Sequence, residues 1–439
     1  MTEGRKATYR VALSNLGCRV NRVELDVIAL SLKEAGCELV GQRDADAIVI
    51  NTCAVTGEAQ AKTRKAVRHA ANLPQGPLVV TTGCVASLFA DELAGISDRV
   101  VVEAQKAKVP QRVLACLGAE NACMAQGPDG ALGTIAMPPV RTTPTGRTRP
   151  GVKVQDGCDN RCTFCIVWKA RGHSRSVPYE QVLGEVLAAQ ERGAREVVLT
   201  GINLGNYRGE GSDGRGYELP GLLTRLLDDT GVERFRLSSI EPPDVTDELL
   251  DVMAQAGSRV APFLHICLQS GCDRTLRQMG RVYDTALFER VVGHARGKVP
   301  LVSIGTDLIV GFPGESDEDF EQSYEFCRRM GFSRMHVFKY SKRPGTPAAA
   351  RDDQVDAKVS AERSGRMLAL ADDMRRAEAA RHVGHEELVV VQYPGRGVSG
   401  GLFDVLVDEA YALDDLVRVR VHRMEPDGTL DARSSSIIK

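Results

Sequence analysis

Residues 152–165 read VKVQDGCDNRCTFC: a short run rich in β-branched residues, a glycine, and then Cys158, Cys162 and Cys165 in CxxxCxxC spacing. The first part has the composition of a strand, so the three thiols fall just past a strand's carboxyl end. Three thiolates in one loop, with no fourth nearby, suit a cubane iron–sulfur cluster. Such clusters normally take four cysteines, and a three-cysteine clamp leaves one iron corner open to an exogenous molecule. Zinc fits less well, because it prefers four closed ligands, usually in paired CxxC units.

Outward from this loop, five more strand-like runs follow in order: EVVLTG, RFRLSSI, FLHICLQS, VSIGTDLIVG and SRMHVFKY. Helical patterns lie between them, among them residues 179–190, 246–255, 285–294 and 317–330, the last with Ser316 as N-cap. Right-handed crossovers would curl six such units into a partial (β/α)6 barrel. In barrels of this kind reactive groups gather at the carboxyl ends of strands, where the CxxxCxxC loop falls.

Upstream, residues 8–118 alternate β-branched runs with amphipathic stretches, the pattern of an open parallel α/β domain. The runs YRVALSNL, AIVIN, LVVTTG and RVVVE read as strands. Helices are expected at residues 20–35, 58–71 and 86–93. Cys18, Cys53 and Cys84 each follow a strand. If these strands are parallel, the three cysteines converge on one sheet edge, the edge where ligands generally bind. Residues 119–150, rich in Gly, Pro and Thr, read as a linker. A charged helical stretch over 353–382 and a glycine-punctuated, β-rich tail follow, the tail expected as a small antiparallel module. The expected domains are 1–118, a linker at 119–150, 151–383 for the barrel and its following helix, and 384–439 for the β module.

Composition sets outer limits. The 439 residues are 43% hydrophobic and 26% charged with a formal net charge of -2, which speaks against a uniformly basic nucleic-acid binder. No apolar run approaches the ~20 residues of a membrane span, and MTEGRKATYR has no apolar core behind its basic start. A cytoplasmic location is expected. There the 12 cysteines serve better as metal ligands or buried apolar residues than as disulfides. Cys37, Cys116, Cys123, Cys267, Cys272 and Cys327 lack ligand-like framing and are expected to pack.

Taken together, LGCRVNRVE, INTCAVT and TTGCVA around the first triplet, GCDNRCTFC, and then LTGINLGNY, SSIEPP, LQSG and TDLIVGFPGESDEDF in that order resemble the radical S-adenosylmethionine methylthiotransferase family over nearly the whole chain. SSIEP, GINLGNY and FKYSKRPGTPA are most similar to the branch acting on threonylcarbamoyladenosine beside the tRNA anticodon. The resemblance implies two 4Fe–4S clusters. One would be the radical cluster on Cys158, Cys162 and Cys165, binding S-adenosyl-L-methionine; the other an auxiliary cluster on Cys18, Cys53 and Cys84, presenting sulfur. It further implies a 5′-deoxyadenosyl radical and a second S-adenosylmethionine as methyl source. Its other implications are a TRAM-like RNA-binding β-barrel at the C-terminus, tRNA (the anticodon stem-loop) as partner, a reductant protein or other electron donor, and a sulfur donor. Both clusters would face one cavity. Trp168 departs from the pattern, standing where the family commonly carries proline. The C-terminal module holds only Tyr393, Phe403 and Tyr411 as aromatics, few platforms for base stacking.

Glu241 in SSIEP and Gln269 in LQSG are expected at strand ends, where a carboxylate and an amide can bind the cofactor's amino group or ribose. Loop capping and backbone satisfaction are the plainer roles open to them. Asp307 lies within its strand and fits either use, and no catalytic residue is assigned. Basic residues group at Lys62, Arg64, Lys65, Arg68 and His69, at Arg141, Arg147, Arg149 and Lys153, and at Lys169, Arg171 and Arg175. They would either cradle phosphates or cover solvated faces. Rival readings are methylthiolation of isopentenyladenosine in tRNA or of a ribosomal-protein aspartate, a radical enzyme with one cluster, and a non-enzymatic zinc-stabilised RNA-binding protein.

Overall fold

A computed structural model describes residues 8–118, 148–212 and 214–434. Most of the expected linker, with Cys123, Arg141 and Arg147, lies outside the described residues. The chain forms two compact units: the first holds the N-terminal residues and Ile166–Gly172, the second Thr148–Cys165 and the chain from His173 onward.

The first unit is a five-stranded sheet in the order Glu38–Leu39, Arg10–Asn15, Ala47–Thr52, Leu78–Gly83, Val100–Val102, with every pair parallel. Its central strand, AIVINT, is buried at every residue, as a strand covered on both faces must be. Alternation sends Ala47 and Val49 to the side of helix Arg19–Glu34, against Leu25, Ile28 and Leu32. Ile48 and Ile50 pack on the other side with Val67 and Ala70 of helix Gly57–Ala71. Two details differ from the sequence reading. Glu38–Leu39 adds a short edge strand, and the helix expected at 86–93 is two pieces, Cys84–Leu88 and Ala90–Ala94, broken where Phe89 leaves helical geometry (φ -137°).

In the second unit six parallel strand runs follow one another around a partial barrel. Gly151–Lys153, Glu196–Thr200 and Arg234–Leu237 pair in sequence, and Ser239–Ile240, Phe263–Ile266, Ser303–Val310 and Arg334–Lys339 continue the series. The third run is interrupted at Ser238: its first half pairs back to Glu196–Thr200 and its second half forward to Phe263–Ile266. The helix-covered face carries Leu264, Ile266, Ile304 and Leu308 in one core with Phe288, Phe326 and Phe332. The rings of Phe326 and Phe332 meet that of Phe288 edge-on at 6.0 and 5.9 Å. Helix Asp317–Met330 has the expected bounds, started by a Ser316–Asp319 capping box and stopped by Gly331 in the left-handed region. The charged stretch becomes helix Ala357–Ala380.

The C-terminal residues form a curled six-stranded sheet in the order Leu416–Arg420, Glu386–Tyr393, Arg396–Ser399, Asp404–Leu406, Leu430–Asp431, Arg423–Met424. Pairing is antiparallel except between Asp404–Leu406 and Leu430–Asp431, which run parallel. A small core of Val389, Val391, Phe403, Val405, Val421 and Leu430 closes against Ala379 of the preceding helix. No helix among the described residues is long and apolar enough to cross a membrane.

Candidate functional site

In the first unit Cys53 follows its strand directly, Cys84 opens the helix after its own, and Cys18, the N-cap residue of helix Arg19–Glu34, lies three residues past the end of strand Arg10–Asn15. Parallel pairing puts all three at one sheet edge, as the strand polarity requires. Buried side-chain amides and a hydroxyl lock the spacing. Asn21 Nδ2 donates to Thr52 O (2.8 Å) and Asn51 Oδ1 (3.2 Å), Asn51 Nδ2 returns a bond to Asn21 O (2.7 Å), and Cys18 Sγ lies 3.5 Å from Asn21 Oδ1. Thr52 Oγ1 accepts from the N–H groups of Val85 and Ala86, beside Cys84. Gly83 has φ 93°, and a Cβ there would stand 2.5 Å from Thr52 O, so only glycine lets these strand ends approach so closely.

Cys53 and Cys84 are buried and Cys18 is exposed. Burial pushes the Cys53 thiol up to about 11, with Cys18 and Cys84 adding to the rise and the Val55 N–H, then Arg171, opposing it. A thiol in that state becomes a thiolate only with a metal or cluster to bind. Arg171 is itself buried here: Nη1 pairs with Glu24 Oε1 at 2.9 Å and Nη2 donates to Asn21 Oδ1 at 2.6 Å. Lys106 also pairs with Glu24, and burial pulls its ammonium below the usual lysine range. The phosphate-cradling role considered for Arg171 does not hold, because its fork is turned inward. Lys62 and Arg64 pair with Glu58 and Glu92 on the surface, the solvated-face role.

In the second unit the loop carrying Cys158, Cys162 and Cys165 leaves the first barrel strand. Gln155, fully buried, donates through Nε2 to Gly157 O (2.9 Å) and Ser174 Oγ (2.9 Å), while its Oε1 accepts from Asn203 N (2.9 Å). Thr163 ties the loop down, its N–H to Met279 O at 2.9 Å and its hydroxyl to Gln278 O at 2.8 Å. Arg281 Nη1 donates to Cys162 Sγ at 3.0 Å, and Nη2 pairs with Glu241 Oε1 at 2.7 Å. Glu241 Oε2 accepts from Asn160 of the loop at 3.0 Å. Burial raises the Cys158 thiol, with Glu241 and Cys162 adding to the rise, opposed by the Asn160 backbone N–H and more weakly by the Asn203 side chain. Asn203 Oδ1, buried beside it, has no hydrogen-bond partner among the described residues.

Glu241 thus stands at a strand end, joined to the cysteine loop. Gln269 adopts the left-handed region (φ 68°); its N–H donates to Asp307 O (2.8 Å) and its carbonyl accepts from Ile309 N (2.9 Å). Arg281, Asn160 and Asn203 were missed as site residues. Arg281 follows a helix end with no motif spacing to mark it, whereas Asn160 lies inside GCDNRCTFC and Asn203 inside GINLGNY. Trp168 lies on helix Val167–Arg171, with the Lys169 ammonium 5.2 Å from its ring centroid.

Three thiols in each triplet fit an iron–sulfur cage, in which each thiolate takes a different iron. The Arg281 N–H on Cys162 Sγ and the positive charge of Arg171 near Cys53 suit thiolate-bound anionic groups.

The Radical SAM superfamily model matches residues 152–327, and the Uncharacterized protein family UPF0004 model matches residues 10–103. The chain is 34% identical over 433 residues to the threonylcarbamoyladenosine tRNA methylthiotransferase of Thermotoga maritima, covering 97% of this chain and 98% of that protein. It is 36% identical over 387 residues to the enzyme of the same name from Bacillus subtilis, covering 85% and 82%. A tRNA-2-methylthio-N(6)-dimethylallyladenosine synthase of Sphingopyxis alaskensis is 32% identical, covering 94% and 95%. Among solved structures, the radical S-adenosylmethionine methyltransferase TsrM of Kitasatospora setae, with cobalamin and an iron–sulfur cluster bound, aligns with TM-score 0.53 at 17% identity, covering 78% and 77%, a likeness of fold. End-to-end similarity at this level, over a parallel barrel opening on a CxxxCxxC loop, places the chain in the radical S-adenosylmethionine methylthiotransferase family.

Proposed function

We propose that this protein converts N6-threonylcarbamoyladenosine, next to the tRNA anticodon, into its 2-methylthio derivative. The observation that carries this reading is the placement of six cysteines, three in each unit, in segments that follow parallel strands. Full-length relatives bearing the threonylcarbamoyladenosine methylthiotransferase name support the branch.

Cys158, Cys162 and Cys165 would hold the radical 4Fe–4S cluster, and Cys18, Cys53 and Cys84 the auxiliary one. When bound, the clusters and S-adenosylmethionine supply the radical that breaks an aromatic C–H bond, and the sulfur and methyl group that replace its hydrogen. The protein's residues orient and shield. Arg281 holds Cys162 and Glu241 in one network, Glu241 keeps lone pairs for a cofactor's amino or hydroxyl groups, and Asn203 Oδ1 supplies a further buried acceptor. Gln269 would contribute from the adjacent strand end. A separate reductant would supply the electron, and a sulfur donor would supply sulfur to the group held by Cys18, Cys53 and Cys84.

The C-terminal sheet would act as a TRAM-like grip on the anticodon stem-loop. Tyr393, 68% exposed, stands at a hairpin end one turn from Arg396, giving one stacking platform beside a cation.

Nucleoside mass spectrometry of tRNA from a deletion strain, with and without the restored gene, tests the assignment. The expected result is loss of 2-methylthio-threonylcarbamoyladenosine with accumulation of its unthiolated precursor. Persistence of the derivative, or loss of the isopentenyl counterpart instead, overturns it.

A further inference from the structure

A third set of metal-ligating side chains belongs to neither triplet. His265 on strand Phe263–Ile266, Cys267 just past it, and Asp307 on strand Ser303–Val310 offer one nitrogen, one sulfur and one oxygen, all within 4.8 Å of one another. Strand pairing brings them together. His265 pairs with Gly305, so residues 265, 267, 305 and 307 share the face opposite the packed Leu264, Ile266, Ile304 and Leu308. Gly305 makes the space: a Cβ there would stand 2.7 Å from Phe263 Cζ and 3.1 Å from His265 Nδ1. His336, opposite Asp307 in register, lies with its ring 5.7 Å from that of His265 and continues the polar layer.

The plain reading is a histidine–carboxylate pair with a packed thiol beside it, the role expected of Cys267 from sequence. Two observations oppose it. His265 is 8% exposed, and its Nε2, though 3.1 Å from Asp307 Oδ1, makes no hydrogen bond, an anomaly for a buried ring nitrogen. A neutral pair would turn an N–H onto the oxygen; two ligands of one ion instead both point at the metal. For nitrogen and oxygen each about 2.1 Å from a zinc-class ion, their mutual separation is about 3.0–3.4 Å, and the observed 3.1 Å falls inside that range. Cys267 Sγ faces the other oxygen of the same carboxylate, donating to Asp307 Oδ2 at 4.0 Å, so loss of the thiol proton to a cation would leave all three donors around it.

We propose that His265, Cys267 and Asp307 form a mononuclear site for a zinc-class divalent cation that uses none of the six triplet cysteines. A thiolate and a carboxylate neutralise the dication, mixed nitrogen, sulfur and oxygen donors select zinc, cobalt or iron(II) over magnesium or calcium, and three protein ligands leave one coordination position for water.

The test uses the full-length, iron-loaded protein, incubated with zinc chloride and desalted, with zinc and iron counted separately. The expected result is about one zinc per chain, falling at least tenfold in Cys267→Ala and in Asp307→Asn while iron stays at the wild-type level. The zinc K-edge spectrum of the wild type should show one sulfur neighbour with nitrogen and oxygen. Three sulfurs would put the zinc in a cysteine triplet and overturn the proposal, as would no retained zinc or equal zinc in wild type and variants. If the variants fold poorly, the wild-type spectrum decides alone. An iron-free protein would sink the cluster reading without touching this one.

Discussion

Arg281 donates through Nη1 to the sulfur of Cys162 at 3.0 Å, so a cation from beyond the fourth barrel strand sits directly on a thiol of the CxxxCxxC loop. Burial works against its charge, yet Tyr283, Glu241, Cys162 and Cys267 together raise its pKa above the usual arginine value. An N–H to sulfur bond and a buried positive charge both favour the reduced, more negative state of a cluster. Arg281→Met should therefore make the cluster's reduction potential more negative and lower activity by about 10–100-fold. Arg281→Lys, which keeps the charge but loses the fork, should fall between. Potentiometric titration followed by electron paramagnetic resonance reads the shift. An unchanged potential would reduce Arg281 to a packing role.

The two triplets should be separable by iron count. The anaerobically reconstituted wild type should hold about eight irons, and triple alanine variants of either triplet about four. The remaining cluster should keep its own spectrum in each variant. A chain that loses no iron on replacement of Cys18, Cys53 and Cys84 has one cluster, and one that takes up zinc alone supports the non-enzymatic rival.

Much of the scaffold was legible because its signals are local. The four-strand pattern of the first unit and the six runs of the second follow from β-branched composition, and the Ser316 capping box fixes the start of helix Asp317–Met330 without tertiary help. Convergence of Cys18, Cys53 and Cys84 followed from parallel strand polarity. What escaped depends on long-range pairing. Arg171 reads as a surface cation beside the cysteine loop, but its partner Glu24 lies 147 positions away. Arg234 and Arg236 alternate with apolar residues as if facing water, yet both are buried because Glu196 on the neighbouring strand meets them. The break at Phe89 leaves no mark in the apolar periodicity.

Asp244, at the end of the SSIEPPD segment, predicts a pH effect on stability. Burial, with Glu241 adding, pushes its carboxyl from 3.8 up to about 6. A carboxyl whose pKa is raised by folding opposes folding once ionised, so the penalty is complete above about pH 6 and is relieved as the pH falls toward 3.8. The full shift would correspond to about 3 kcal/mol, and partial exposure with solvent screening reduces this to about 1 kcal/mol. Asp244→Asn should therefore be more stable than wild type by about 1 kcal/mol at pH 7.5, the difference vanishing near pH 4. Paired urea titrations across that window measure it; a difference that does not change with pH would place the effect outside ionisation.

Glu196 gives the largest expected loss of stability. Its carboxylate is fully buried and accepts from Arg236 Nε at 2.7 Å and from Arg234, with Arg149 3.5 Å away. These arginines hold its carboxyl well below the ordinary range, although burial pushes the other way. The same forks reach the C-terminal sheet: Arg234 Nη1 donates to Leu388 O at 2.5 Å, and Arg236 donates to Gly400 O at 2.7 Å and Ser399 O at 3.1 Å. Glu196→Gln leaves buried guanidinium charge uncompensated and should cost about 3–5 kcal/mol. The neighbouring exposed pair Arg195–Glu233 provides the contrast, since Glu233→Gln should change stability by less than about 1 kcal/mol. Because the arginines lose their orientation along with their counter-charge, limited proteolysis of Glu196→Gln should cut near the C-terminal sheet faster than in wild type, while Glu233→Gln keeps the wild-type rate. Equal proteolysis in both would mean that the sheet is held by its own core and by helix Ala357–Ala380, independently of the buried charges.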